Sequence, residues 1–275
     1  MHSPSKAKLA ITALAGVVLA LVIVSRPLTA PLPATVRISD MTWVEVRSAI
    51  EHGYDRVLVP SGGIEQNGPH MILGKHDHIV SWTAGRIATE LGRTLVAPVV
   101  SFVPEGEFSP PSGHMRFPGT IGVSEPVYAG VLEDIARSLK AGGFKTICFI
   151  ADHGGSMKVQ AEVAARLTRE WSQEGIRVVD VDDYYAAAGD LQNKFLESQG
   201  ETRAAIGQHA GIADTSELMA VHPTGVDLSR HPAFGLAETG VSGDPRRASV
   251  DRGKVLLDLK VQAAVRQIRA VKAGI

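Results

Sequence analysis

The sequence predicts a three-layer α/β/α domain built around a mostly parallel sheet, and three observations carry that expectation. Short apolar, β-branched runs recur at 56–60, 95–100, 146–151 and 177–181, each bounded by Gly, Pro or Asp. They are continuously apolar rather than alternating, which suits strands covered on both faces. Between them lie longer stretches whose apolar residues recur with the period of a helix. Strand–helix alternation of this kind builds a parallel sheet with helices on both sides.

Each element follows in order. After the first run, Val80, Ala84, Ile87 and Leu91 fall on one helical face. After the second, Val127, Val131, Ile135 and Leu139 form another stripe, with Ser124 as the N-cap and Gly142-Gly143 as the stop. A third stripe, Val159, Val163, Leu167 and Trp171, follows the third run and is closed by Gly175. Leu257, Val261, Val265 and Ile268 mark a long C-terminal helix. In open α/β sheets, ligands bind beyond the carboxyl ends of the strands. The loops after 56–60 and 146–151 are therefore where chemistry is expected.

Composition narrows the function. The chain has 275 residues, enough for one large core, and a net charge of −1, without the basic footprint of a nucleic-acid binder. A small-molecule substrate is expected instead. The single cysteine, Cys148, lies inside an apolar run and reads as a buried hydrophobe, so no intramolecular disulfide is available. Lys6 and Lys8 precede an uncharged apolar run at 9–24, followed by Ser25-Arg26-Pro27. That pattern predicts a secretory signal or an uncleaved N-terminal anchor. Residues 1–34 are thus read as an export segment with its linker, and 35–275 as a hydrolase domain in the periplasm or outside the cell. Contact with a membrane is expected only through that segment.

Four polar segments interrupt this frame. The first, 61–78, holds His70, His76, His78, Glu65 and Asp77 among four glycines and a proline. Glycines let the backbone turn sharply and bring separated side chains to one point. Carboxylate with imidazole is a ligand set for zinc, iron or manganese. The second is Asp152-His153-Gly154-Gly155-Ser156, at a strand end. The third carries His209 and Asp214, suited to moving a proton, although Asp214 could equally cap a helix. The fourth, 103–120, is a long Pro/Gly-rich loop with Glu105, Glu107, His114 and Arg116, of the length of a lid or binding loop.

These four blocks, in this order, resemble the creatininase (creatinine amidohydrolase) family over about residues 40–270. The matching stretches are Glu65-Gln66-Asn67-Gly68-Pro69-His70, His114-Met115-Arg116-Phe117-Pro118-Gly119-Thr120, His153-Gly154-Gly155, and His209-Ala210-Gly211 with Asp214-Thr215-Ser216. The resemblance implies hydrolysis of cyclic amides or formamides with one or two divalent metals, on a three-layer fold that often forms hexamers. It implies Glu65, His76 and His153 as ligands, with Asp77 the alternative to His76. It implies His209 and Asp214 as the catalytic proton-transfer pair. Asn67 and Gly155 stand where two-metal members carry ligands, so a single divalent ion is expected, zinc first and iron or manganese as alternatives. His70, Asp77, Glu105 and His114 are the candidates for contact with substrate. The creatinine pocket of the family depends on tryptophans. Trp43, Trp82 and Trp171 lie in expected helices outside the four blocks, which argues against creatinine itself. Two other readings remain open: a hydrolase of another bond, such as a lactone, and a binding protein that kept the fold without the chemistry.

Overall fold

The computed structural model describes residues 34–231 and 237–271; the N-terminal segment on which the export reading rests lies outside them. Among the described residues, no helix is long and apolar enough to cross a membrane. The elements run α1 (Trp43–Glu51), β1 (Arg56–Ser61), α2 (Lys75–Leu91), β2 (Thr94–Val96), α3 (Glu125–Ala141), β3 (Thr146–Ala151) and α4 (Met157–Glu170). They continue with β4 (Arg177–Asp180), α5 (Ala186–Ser198), α6 (Arg203–Ile206), α7 (Ile212–Val221) and α8 (Val250–Ala270). The strands form one sheet in the order β2-β1-β3-β4, with every neighbouring pair parallel.

The continuous apolar runs are explained by two separate cores. Val57, Val59, Leu95, Ile147 and Phe149 face α1, α3 and α4, where Ala49, Leu132 and Leu167 meet them. Leu58, Val96, Cys148 and Ile150 point the other way, against Val80, Ala84 and Ile87 of α2 and Val261, Val265 and Ile268 of α8. Successive strand residues thus enter opposite layers, and both layers are dry. Cys148 is fully buried there, and burial pushes its thiol up to about 12.

Two expectations need correction. β2 is shorter than the run 95–100, because Pro98 has no N–H for the ladder. The chain still tracks β1, with Ala97 N–H donating to Leu58 and Val100 N–H to Pro60. On α3 the buried stripe is Tyr128, Leu132 and Ala136, while Val127 and Val131 are exposed. Both stripes satisfy the same period one residue apart, and the sheet takes the one whose Tyr128 hydroxyl donates to Ser61 Oγ at 2.9 Å. Ser124 occupies the N-cap position of α3 without a side-chain capping bond.

α7 and α8 cross so closely that a Cβ on Gly253 would stand 1.9 Å from the Ser216 carbonyl oxygen. Gly253→Ala is therefore expected to destabilise the fold by about 1–3 kcal/mol, lowering the melting temperature by roughly 2–12 °C. An unchanged thermal transition would show that the crossing relaxes without cost.

Candidate active site

The loop after β1 folds back on the start of α2. Gly62 and Gly63 lie against the first turn of that helix, where Asp77 Oδ1 accepts the Gly63 N–H at 3.0 Å. Glu65 N–H donates to Leu73 O, and the Asn67 side-chain amide donates to the carbonyls of Glu65, Ile72 and Leu73. This hairpin of loop carries Glu65 beside Lys75 and His76. β3 delivers Asp152 and His153 from its carboxyl end, as the parallel sheet requires.

Glu65 is fully buried, and its two carboxylate oxygens face different groups. Oε2 lies 3.0 Å from His153 Nε2 and 3.1 Å from His114 Nε2. Glu105 joins that side, with Oε2 3.1 Å from His153 Nε2. The ligand atoms of Glu65, Glu105, His114 and His153 lie within 4.8 Å of one another, a spacing suited to a metal ion. Oε1 faces His76 Nε2 at 2.7 Å, Lys75 Nζ at 3.5 Å and His209 Nδ1 at 3.6 Å. Burial pushes the Glu65 carboxyl up, but His76 and Lys75 outweigh it and hold the group well below the usual carboxylate range.

The hydrogen-bond network fixes several proton positions. Gln66 Oε1 accepts from Gly68 N–H and its amide nitrogen donates to Gly240 O, so the same nitrogen donates to His114 Nδ1. The proton of neutral His114 is therefore on Nε2, aimed at Glu65, which makes it a donor rather than a ligand. His209 Nε2–H donates to Gln66 O at 2.8 Å, leaving the Nδ1 lone pair directed at the site. Burial, with Lys75 adding to it, holds His209 down to about 4, so it is neutral near pH 7.

Glu105 is 3% exposed, and its carboxylate has no well-directed hydrogen bond: the nitrogen beside it, His153 Nε2, is directed at Glu65. Burial raises its pKa. A buried acid with unsatisfied oxygens, next to Glu65 and the Nε2 atom of His153, fits a divalent cation. Burial opposes a charge on His153, yet Glu105 and Glu65 raise it to about 9 in the absence of such an ion.

His76, expected as a ligand, stands outside that group. Its Nε2 is on the far oxygen of Glu65, and its Nδ1 faces Asp152 Oδ2 at 2.8 Å. Asp77, the alternative to His76 and a candidate for substrate contact, accepts the Gly63 N–H and is not among the residues lining the cavity. His70 is likewise not a wall residue; it is buried behind the loop, with Nε2 3.1 Å from Thr215 Oγ1. Asp214 Oδ2 accepts from Ala210 N–H at 2.7 Å and from Lys75 at 3.0 Å. Burial raises its pKa, but Lys75 outweighs that and keeps it ionised far into acid.

Three functional groups escaped the sequence reading: Lys75, Lys260 and Glu217. Lys75 and Lys260 both line the cavity, although each is buried. Lys260 Nζ bonds Asp152 Oδ1 at 2.7 Å and Glu217 Oε2 at 2.9 Å, and the Tyr184 hydroxyl donates to Asp152 Oδ1 at 2.8 Å. Asp152 is thus the hub under His76. The available signal was a lysine and a glutamate on the apolar faces of α8 and α7. The cavity holds about 500 Å³ and extends from Glu65 and His153 past His209 to Tyr185, Gln192 and Asn193. No tryptophan lines it: Trp43 is exposed, Trp171 is buried in the core under α4 and Trp82 packs on the core shared by the sheet, α2 and α8.

Residues 39–268 match the Creatininase family, described as creatinine amidohydrolase. The chain is 25% identical to creatinine amidohydrolase of Pseudomonas putida over 256 residues, covering 86% of this chain and 96% of that one. It is 28% identical to the mycofactocin precursor peptide peptidase of Mycolicibacterium smegmatis over 225 residues, covering 78% of this chain and 84% of that one. Among solved structures, it superposes on a manganese form of creatininase with a TM-score of 0.70 at 25% identity, covering 86% of this chain and 98% of that one.

Proposed function

The chain belongs to the creatininase family of amidohydrolases, and we propose that it is a metal-dependent hydrolase of a C–N bond in a small cyclic amide or formamide. The observation that carries the proposal is the Glu105 carboxylate, buried against Glu65 with no well-directed hydrogen bond of its own and with His153 Nε2 shared between the two. Glu65, Glu105 and His153 would hold one divalent ion, zinc first, with iron or manganese also suited to the donors. When bound, such an ion polarises the scissile carbonyl and lowers the pKa of water towards neutrality.

The chain's own groups do the rest. His209 is neutral with its Nδ1 lone pair facing the site, so it accepts the proton from the attacking water and returns it to the leaving nitrogen. Asp214 stays ionised and tied to Lys75 and Ala210, so its role is to hold Lys75. His114 lines the cavity and donates its one proton, on Nε2, to Glu65, so it holds that carboxylate in place. A cavity of about 500 Å³ with polar walls favours a compact polar substrate. A short peptide amide is the second reading, favoured by the peptidase named among the relatives.

The N-terminal basic and apolar segment supports export to the periplasm. The exposed Phe102, Ile121, Val127 and Val131 support a homo-oligomer.

The test is elemental analysis of purified protein, followed by assay on cyclic amides, formamides, short peptides and lactones. One equivalent of metal is expected, and chelation should abolish C–N hydrolysis. Glu105→Ala and His153→Ala should each lose the metal, while His76→Ala should retain it. Less than about a tenth of an equivalent in wild type would defeat the metal reading. Retention in Glu105→Ala with loss in His76→Ala would move the ligand set to Glu65, His76 and His153.

A further inference from the structure

We infer that Lys75 is a built-in cation of this centre, whose ammonium occupies the Oε1 side of Glu65 and so limits the site to one divalent metal; this rests on the metal reading above. Lys75 is fully buried, with Nζ 3.0 Å from Asp214 Oδ2 and 3.5 Å from Glu65 Oε1. Its position carries two costs. A buried ammonium loses its hydration, and Lys75 is the first residue of α2, where the helix dipole disfavours positive charge. Its two carboxylate partners, Asp214 and Glu65, compensate for them.

What the ammonium covers explains its presence. Without it, Glu65 Oε1, Asp214 Oδ2 and the lone pair of His209 Nδ1 would face one another around the vacated position. Two carboxylates and an imidazole form a ligand set for a divalent ion. Of the other groups there, the His76 ring is held between Glu65 Oε1 at 2.7 Å and Asp152 Oδ2 at 2.8 Å. The amide nitrogen of Asn67 is held by three backbone carbonyls, while its buried Oδ1 has no hydrogen-bond partner. At Gly155 a Cβ would stand 2.8 Å from His153 Cε1 and 2.9 Å from Pro104 O, leaving no room for an acidic side chain. The ammonium therefore supplies a permanent positive charge next to Glu65 without needing a second ion, while the Oε2 side stays open to the metal.

The test counts metal in wild type, Lys75→Ala, Lys75→Gln and Lys75→Arg after equilibrium dialysis against zinc alone and manganese alone, with circular dichroism to confirm folding. Wild type and Lys75→Arg are expected to stop at one equivalent, and Lys75→Ala to take a second, weaker one. Lys75→Gln removes the charge but keeps a donor for Asp214, so it carries the same expectation if the alanine variant does not fold. One equivalent in both neutral variants, or two in wild type, would overturn the inference. Wild type binding none would instead defeat the metal reading, and the inference would fall with it.

Discussion

Glu65→Ala is expected to empty the centre of metal and to lower kcat/KM by roughly 10³-fold or more, as when one member of a catalytic unit is removed. No other side chain in the site joins both of its halves. Oε2 meets His153 and His114, and Oε1 meets His76, Lys75 and His209. Removing the carboxylate deletes a proposed ligand and leaves Lys75 paired with Asp214 alone. The variant should also melt lower, because a buried charge has lost part of its compensation. Elemental analysis separates the effects: a variant that keeps a full equivalent of metal but loses activity would place Glu65 outside the ligand set.

Asp152→Ala is expected to cost about 3–5 kcal/mol of stability, the usual result of leaving a buried ion pair half-broken. A change of that size should lower the melting temperature by roughly 6–20 °C. Asp152 is 1% exposed and receives Lys260, Tyr184 and His76. Burial opposes its charge, but Lys260 outweighs that and holds the carboxyl down to about 2. Lys260 is also 6% exposed and shared with Glu217, so removing Asp152 leaves the lysine with one partner in an apolar layer. Lys260→Met alone should be destabilising for the mirror reason. The double variant Asp152→Ala/Lys260→Met should recover part of the loss, because Asp152 and Lys260 are then removed together and Glu217 keeps Gln192 as a donor. Additive losses in the double variant would show that the two groups do not depend on each other.

The residues tell which parts of this protein were legible from sequence. The four strands, the α2, α4 and α8 stripes and the placement of chemistry after β1 and β3 follow from local patterns, since burial on both faces imposes them residue by residue. Glu65, His153 and His209 stood out because a packing element has no use for them in glycine-rich loops. Lys75 and Lys260 did not, since a charge inside a helical segment normally faces solvent. Their burial depends on carboxylates distant in sequence, Asp214 for one and Asp152 and Glu217 for the other.

Local order in the chain thus specified the layers of the fold and the loops that bear the chemistry. Long-range packing settled which of two adjacent stripes α3 buries, which oxygen of Glu65 each neighbour meets, and where the protons of His114 and His209 sit. The physical reason is the same each time. Periodicity records which residues avoid water, a property of one segment. The partner of a buried polar group is a property of two segments, and here those segments lie far apart in the chain.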